Sequence, residues 1–155
     1  MSDFARFGSD LRLLDDLERQ EQRNRGTDLM TRVRPESGRT DLARLEGVQN
    51  LKQALLLRFL TPVGELAVLG HRDYGSRLHT LIGERNNETN RNRAKLYVLE
   101  ALVAEPRVEK VLSVDVLTRR SEPTRLDVHV TVKVVDHDTP LNLVFPFFLE
   151  RVAAP

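Results

Sequence analysis

The sequence predicts an α+β fold in which N-terminal helices pack on a C-terminal three-stranded antiparallel sheet. Apolar residues recur at helical spacing before residue 105, whereas runs of apolar–polar alternation, which are typical of strands, follow after residue 107. Pro106 separates the two regions. A proline cannot continue a helix and pushes the preceding residue out of the α region, so a helix that ends near Ala104 must be followed by a turn.

The composition limits the classes of function. A chain of 155 residues with 40% hydrophobic residues can bury one core, which predicts one domain with an arm. A net charge of +1 argues against a dedicated nucleic-acid binder. The absence of cysteine excludes disulfides and thiolate metal sites. No apolar run is long enough for a secretory signal or a membrane span, so we expect a cytoplasmic protein without membrane or nucleic-acid partners.

Residues 1–41 are predicted to form an N-terminal helix and a basic, partner-facing loop. Ser9-Asp10 is the expected N-cap, and Leu11, Leu14 and Leu17 then recur at helical spacing. The polar segment from Asn24 to Asp41 is locally basic but has no aromatic residue on which a base could stack, so a solvated or protein-facing loop is the better interpretation.

Residues 42–150 are predicted to form the main domain, followed by a short tail at 151–155. Its first helix is expected from Asp41 to Leu60, with a break at Gly47, and Thr61-Pro62 ends it. A glycine-punctuated unit from Val63 to Gly83 follows, in which Ser76 is the expected N-cap of a short helix. The next helix has a full amphipathic match in Ala94, Tyr97, Val98, Ala101 and Leu102.

Three alternating runs predict the strands of the sheet. Their expected core-facing residues are Leu112, Val114 and Val116; then Leu126, Val128, Val130, Val132 and Val134; then Leu141, Leu143, Phe145, Phe147 and Leu149. Pro146 lies inside the third run and cannot donate to a ladder, which predicts an edge strand. Val144 and Phe148 make the other face of this edge apolar, so we expect a partner strand to cover it.

No catalytic or metal-binding constellation is apparent. The four histidines lack the paired spacing that zinc requires, and Asp136-His137-Asp138 is typical of a turn. Glu65 with Asp73, or Glu84 with Glu88, could be considered as glycosidase pairs, but nothing in the sequence indicates a cleft between them. We therefore expect no catalytic residues, no metal and no cofactor.

The corner Glu105-Pro106-Arg107 has two interpretations. A rigid turn that presents the planar fork of Arg107 suits a docking point for carboxylates or carbonyls. Alternatively, it is a helix end whose two charges pair with each other or with solvent.

Four segments in a fixed order resemble one family over roughly Gly47 to Phe148. They are Asn50-Leu51-Lys52-Gln53-Ala54-Leu55, Arg58-Phe59-Leu60-Thr61-Pro62-Val63-Gly64-Glu65, Tyr74-Gly75-Ser76-Arg77-Leu78 and Glu105-Pro106-Arg107-Val108. Together they are similar to the sheath-initiator and baseplate-wedge family of contractile tails, which occurs in phages, tailocins, type VI secretion baseplates and extracellular contractile injection systems. Some members carry the label lysozyme-like.

The resemblance implies a structural role rather than an enzymatic one. It implies six copies around the tube of an assembled tail or injection particle, with the sheath protein, baseplate wedge proteins and also tube or spike hub proteins as partners. It implies wedge docking by Glu105, Pro106, Arg107, Thr61, Gly64, Glu65, Tyr74 and Gly75. It implies a sheath-facing edge strand that includes Leu141, Leu143, Val144, Phe145, Phe147 and Phe148.

Two other classes of function remain open at this stage. A regulatory protein-binding module of the anti-adaptor kind is similar in fold and is the main alternative. A peptidoglycan hydrolase would require a catalytic role for a carboxylate such as Glu65 or Glu105, which the sequence does not favour.

Overall fold

The structure, a computed structural model, describes residues 7–14 and 29–150. Two helices, α1 (Gly47–Leu60) and α2 (Glu88–Val103), precede a sheet of β5 (Val108–Arg119), β6 (Glu122–Val134) and β7 (Leu141–Phe148). Four short strands come before α1, namely β1 (Ser9–Leu11), β2 (Thr31–Val33), β3 (Thr40–Leu42) and β4 (Arg44–Glu46). The predicted α+β class is confirmed.

The C-terminal sheet is an antiparallel meander in the order β5-β6-β7. The predicted alternation in β6 is confirmed, because its apolar side chains from Leu126 to Val134 are at most 1% exposed. β7 contributes Phe145, whose ring stacks on Phe59 of α1 with centroids 4.9 Å apart. The core therefore lies between one face of the sheet and the helices.

The prediction for β5 is wrong at one residue, whose side chain faces solvent instead of the core. Leu112 was expected in the core but is 47% exposed. The pairing shifts register between Val111, which lies opposite Val132, and Ser113, which lies opposite Thr131. Since one extra residue in a strand reverses the side-chain alternation, Val111 packs against the core in place of Leu112.

The second long helix agrees with its sequence pattern. The side chain of Asn87 accepts a hydrogen bond from the backbone N–H of Asn90 and caps the N-terminus of α2. The predicted stripe is confirmed at Ala94, Val98, Ala101 and Leu102, which are all buried. The helix ends at Val103, ahead of the proline corner.

The N-terminal helix predicted from Ser9 is wrong where the structure describes it. Ser9–Leu11 is a strand that pairs with β4. The side chain of Gln53 in α1 holds the following segment, since its oxygen accepts the N–H of Leu13 at 2.8 Å and its amide donates to the C=O of Leu11 at 2.8 Å. A long-range partner therefore overrides the weak local helical pattern. The rest of the predicted helix, including Leu17, lies outside the described residues.

Two further boundaries differ from the prediction. The segment expected as an irregular loop up to Asp41 contains β2 and β3, which pair as an antiparallel hairpin. The helix expected from Asp41 begins only at Gly47, because the chain is extended through β3 and β4. Within the described part of the chain, no helix combines the length and the apolar character that a membrane span requires.

The predicted domain boundaries remain predictions. Phe7 and Leu14 nevertheless belong to the same buried cluster as the residues of α1 and the sheet. The described N-terminal residues are thus packed on the main domain.

Candidate functional site: a docking cluster and a sheet edge

Three of the sequence segments meet in one ionic cluster, which comprises Arg58, Tyr74, Glu105 and Arg107. A terminal nitrogen of Arg58 donates to Oε2 of Glu105 at 3.3 Å, and Nε of Arg107 donates to Oε1 of the same carboxylate at 2.6 Å. The guanidinium carbon of Arg58 lies 4.6 Å from the centre of the Tyr74 ring. The cluster therefore joins the last turn of α1, a loop and the corner after α2.

Backbone hydrogen bonds hold the corner in place. The N–H of Glu105 donates to the C=O of Leu102, and the N–H of Val108 donates to the C=O of Glu105, so the chain turns tightly around Pro106. The C=O of Arg107 accepts the N–H of Val135, the residue that follows β6. The corner is thus anchored to both α2 and the sheet.

The two arginines decide the charge state of Glu105. Burial alone would raise the pKa of this carboxyl, but the hydrogen bonds and charge of Arg107, with the charge of Arg58, outweigh it and hold the pKa below its ordinary value. Burial raises the pKa of Tyr74, and the negative charge of Glu105 adds to this effect. Glu105 is therefore ionised and Tyr74 neutral near pH 7.

The loop that carries Tyr74 is joined to the end of α1 by a parallel bridge between Pro62 and Ser76. The hydroxyl of Ser76 donates to the C=O of Phe59 at 2.7 Å. Gly75 has a φ of +113°, and a Cβ there would lie 2.5 Å from the carbonyl oxygen of Thr61. Only glycine fits this close approach of two backbones.

The structure divides the predicted docking residues into supporting and exposed groups. Glu105 is 5% exposed and Gly75 is also buried, whereas Thr61 and Tyr74 are half-buried. Pro106, Gly64 and Glu65 are exposed, and 30% of the Arg107 side chain remains exposed.

Both interpretations of the corner therefore have support. The two charges do pair with each other, but the terminal amino groups of Arg107 make no hydrogen bond within the described residues. Arg58 was not among the predicted site residues, although it begins one of the segments on which the family resemblance rests. Its place as the single arginine of α1 was a further signal in the sequence.

The side chains of the predicted edge strand also fall into two groups that differ in burial. Leu141, Leu143, Phe145 and Phe147 are at most 7% exposed, so their side chains fill the core. Val144 and Phe148 lie on the opposite face and are half-buried. Partner contacts to β7 would therefore use its backbone and its outer face.

Successive residues of β7 direct their backbone N–H and C=O groups alternately toward β6 and away from it. The N–H of Leu149 donates to the C=O of Thr124 in β6 at 2.9 Å. Because hydrogen-bonding residues alternate along an antiparallel pair, odd-numbered residues of β7 direct their backbone groups toward β6, and Asn142, Val144 and Pro146 direct theirs away. Pro146 therefore removes no N–H from the ladder with β6. Among the described strands, the order β5-β6-β7 confirms the prediction of an edge strand.

The carboxylates considered as glycosidase pairs all belong to exposed residues. Glu65 and Asp73 are exposed on the loop between Pro62 and Ser76. Glu84 lines a shallow cleft that does not include Glu88. Across the described ranges, no group of three or more metal-ligating side chains is placed to hold an ion.

A comparison with solved structures relates this fold to a tail protein. A "putative tail lysozyme" from Geobacter sulfurreducens is 30% identical, with a TM-score of 0.56, and the match covers 65% of this chain and 89% of that protein. The chain belongs to this phage-tail-related family. The relation to tail proteins that the sequence segments indicated is confirmed at that level. No protein-family model matches the chain, and a search of curated proteins found no match.

Proposed function

We propose that this member of the phage-tail-related family is a structural component of a contractile tail baseplate. In this role it docks on the wedge and nucleates sheath polymerisation by offering the outer edge of β7 to a strand of a sheath subunit. The proposal rests on the outer edge of β7, which is unpaired among the described residues and carries no charged side chain. With β6 on one side, β7 has no strand paired with its other side among the described residues.

The two edges of the sheet differ in their capacity to accept a strand. β7 contains no charged residue, and its register with β6 is continuous through all eight pairs. β5 carries Glu109, Lys110, Asp115 and Arg119, and its pairing is irregular at three places. Charges and bulges protect an edge from pairing, whereas a flat apolar edge accepts a partner strand.

The backbone alternation identifies which groups of β7 a sheath strand would use. Asn142 and Val144 direct both N–H and C=O away from β6, whereas Pro146 has no N–H to direct. Strand addition would therefore begin along the N-terminal half of β7, where both donor and acceptor are present. Val144 would contact the added strand on the outer face.

Wedge docking is assigned to the exposed part of the ionic cluster and its loop. Arg107 presents its terminal amino groups beside Pro106, which fits a carboxylate or a row of carbonyls on a wedge protein. Gly64 and Glu65 lie in the exposed loop, while Glu105, Tyr74, Thr61 and Gly75 support it from within. Six copies per particle, a tube or spike hub contact and a partner-facing role for residues 1–41 belong to the same proposal.

The test is co-expression of the chain with the sheath and baseplate proteins encoded beside its gene, followed by electron microscopy. Sheathed particles are expected with the parent chain, and baseplates without sheath are expected when the chain is omitted. Val144→Pro removes an outward N–H and Val144→Lys adds a charge to the edge, so both should give baseplates that lack sheath. Arg107→Ala should reduce the amount of the chain on baseplates.

Leu112→Lys is the matched control, because Leu112 is an exposed apolar residue of the opposite edge strand. It should support normal sheaths. Thermal melting of each variant separates loss of folding from loss of assembly. Normal sheaths on baseplates that lack the chain would contradict the proposal and favour a regulatory protein-binding module.

A further inference from the structure

The loop from Val63 to Gly75 is closed at its base and ordered by its own backbone. Its ends are held together by the N–H of Val63 donating to the C=O of Ser76 at 3.0 Å and the N–H of Ser76 donating to the C=O of Thr61 at 2.8 Å. Inside the loop, Leu69 and His71 both donate to the C=O of Leu66. This is the arrangement of an Ω-loop, whose ends are close together.

The tip of this loop exposes two aliphatic side chains. Val68 is 96% exposed and Leu69 is 72% exposed, in a 3-10 turn from Ala67 to Leu69. The turn ends at Gly70, whose φ of +90° closes it. An apolar pair on a backbone that is already ordered loses little conformational entropy on binding, which is the property of a preorganised anchor.

Charged side chains of both signs flank this tip along the chain. Glu65, Arg72 and Asp73 are exposed, and none of them forms an ion pair within the part of the chain that the structure describes. The loop thus carries two carboxylates and one guanidinium on either side of its exposed apolar pair, and none of the three is ion-paired among the described residues. A protein interface commonly has this organisation of an apolar centre and a polar rim.

We propose that Val68 and Leu69 insert into an apolar pocket of a protein partner whose rim carries charges complementary to Glu65, Arg72 and Asp73. A membrane surface fits less well, because stable membrane attachment needs a larger apolar area or a basic patch. This anchor lies in the loop that the proposed function assigns to wedge docking and rests on that part of the proposal, but it is separate from the β7 edge and from Arg107 and does not depend on sheath nucleation.

The test measures binding of the Val68→Asp/Leu69→Asp double variant to each purified sheath and baseplate protein encoded beside the gene. For one of these proteins, binding is expected to weaken by about 30-fold or more, as for loss of an interface hot spot. The control is Leu96→Asp, since Leu96 is 49% exposed on α2; its binding should equal that of the parent. Melting temperatures of both variants should match the parent.

Several outcomes would overturn the proposal. The parent chain binding none of these proteins would do so, as would a double variant that binds as tightly as the parent. Binding to vesicles of phosphatidylcholine and phosphatidylglycerol that the double variant loses would assign the tip to a membrane. Loss of self-association in light scattering would assign it to a second copy of the chain. By contrast, a failed Val144→Pro test together with a weakened double variant would reject sheath nucleation and support the loop anchor.

Discussion

At the scale of single residues, Glu105 is a predicted docking residue whose charge is buried. Its carboxylate is 5% exposed and lies between Arg58 and Arg107. Removal of one partner from a buried ion pair leaves an uncompensated charge, which costs far more than loss of an exposed pair. Glu105 therefore holds the guanidinium of Arg107 in position from the buried side of the corner.

Glu105→Gln is expected to lower the free energy of unfolding by about 3 kcal/mol, because Arg58 remains buried without a carboxylate. The matched control is Glu100→Gln, since Glu100 pairs with Arg77 where both side chains are almost half exposed. That change should cost at most about 1 kcal/mol. Urea unfolding of the three proteins measures both values, and equal losses would contradict the prediction.

The pH dependence of stability should depend on the same carboxyl. Because its pKa is lower in the folded protein, its contribution is fully present above the ordinary value of 4.5 and is lost as the pH falls through the folded pKa. The unfolding free energy of the parent should therefore fall more steeply below pH 4.5 than that of Glu105→Gln. Parallel curves for the two proteins would exclude this role.

At the scale of elements, the join between α1 and the following loop depends on one glycine. Gly75 lies where the backbones of two segments touch, and its added Cβ would lie 2.5 Å from one carbonyl oxygen and 2.8 Å from the next. Gly70 in the same loop also has a positive φ, but an added Cβ there would have no atom within 4 Å. Substitutions at these two glycines therefore distinguish the cost of steric contact from the cost of backbone strain.

Gly70→Ala is expected to destabilise the protein by about 1 kcal/mol, the cost of a left-handed conformation with a side chain. Gly75→Ala should cost at least about twice that, because backbone contact is added to strain. It should also displace Tyr74 from Arg58, which quenching of tyrosine fluorescence can follow. If both variants unfold at the same denaturant concentration, the close approach of the two backbones at Gly75 does not contribute to stability.

The position of β7 in the sheet could be predicted from the sequence. Pro146 identified β7 as an edge from the sequence, because a proline cannot serve a central strand. The alternation predicted that Phe147 faces the core, whereas the family resemblance implied that it contacts the sheath. Phe147 is 7% exposed, so a charge there would unfold the chain rather than test the edge.

At the scale of the whole molecule, neither buried carboxylate among the described residues has the environment of a glycosidase acid. A glycosidase acid requires a raised pKa, whereas that of Glu105 is lowered. The other buried carboxylate, Asp127, is held by Arg119 and Arg125 at 2.7 Å each. We therefore expect the purified chain to leave a peptidoglycan suspension turbid, with a known lysozyme as the positive control. Clearing that Glu65→Gln or Glu105→Gln abolishes would reverse this expectation.

The sequence by itself determined the elements whose signal is local. The alternation of β6, the stripe of α2 and the turn at Pro106 were all predicted, because each depends on neighbouring residues and on the period of one element. The edge position of β7 followed from a single missing backbone donor. The relation to tail proteins came from short segments whose order is visible in the sequence.

Only the tertiary structure decided the features that join distant residues. Ser9–Leu11 became a strand because β4 and Gln53 supply its hydrogen bonds from more than thirty residues away. Leu112 turned outward because of a register shift against β6. Arg58 reached Glu105 across 47 positions, a pairing that no local pattern encodes. Local periodicity determines elements, whereas burial and long-range pairing determine which side chains remain available to a partner.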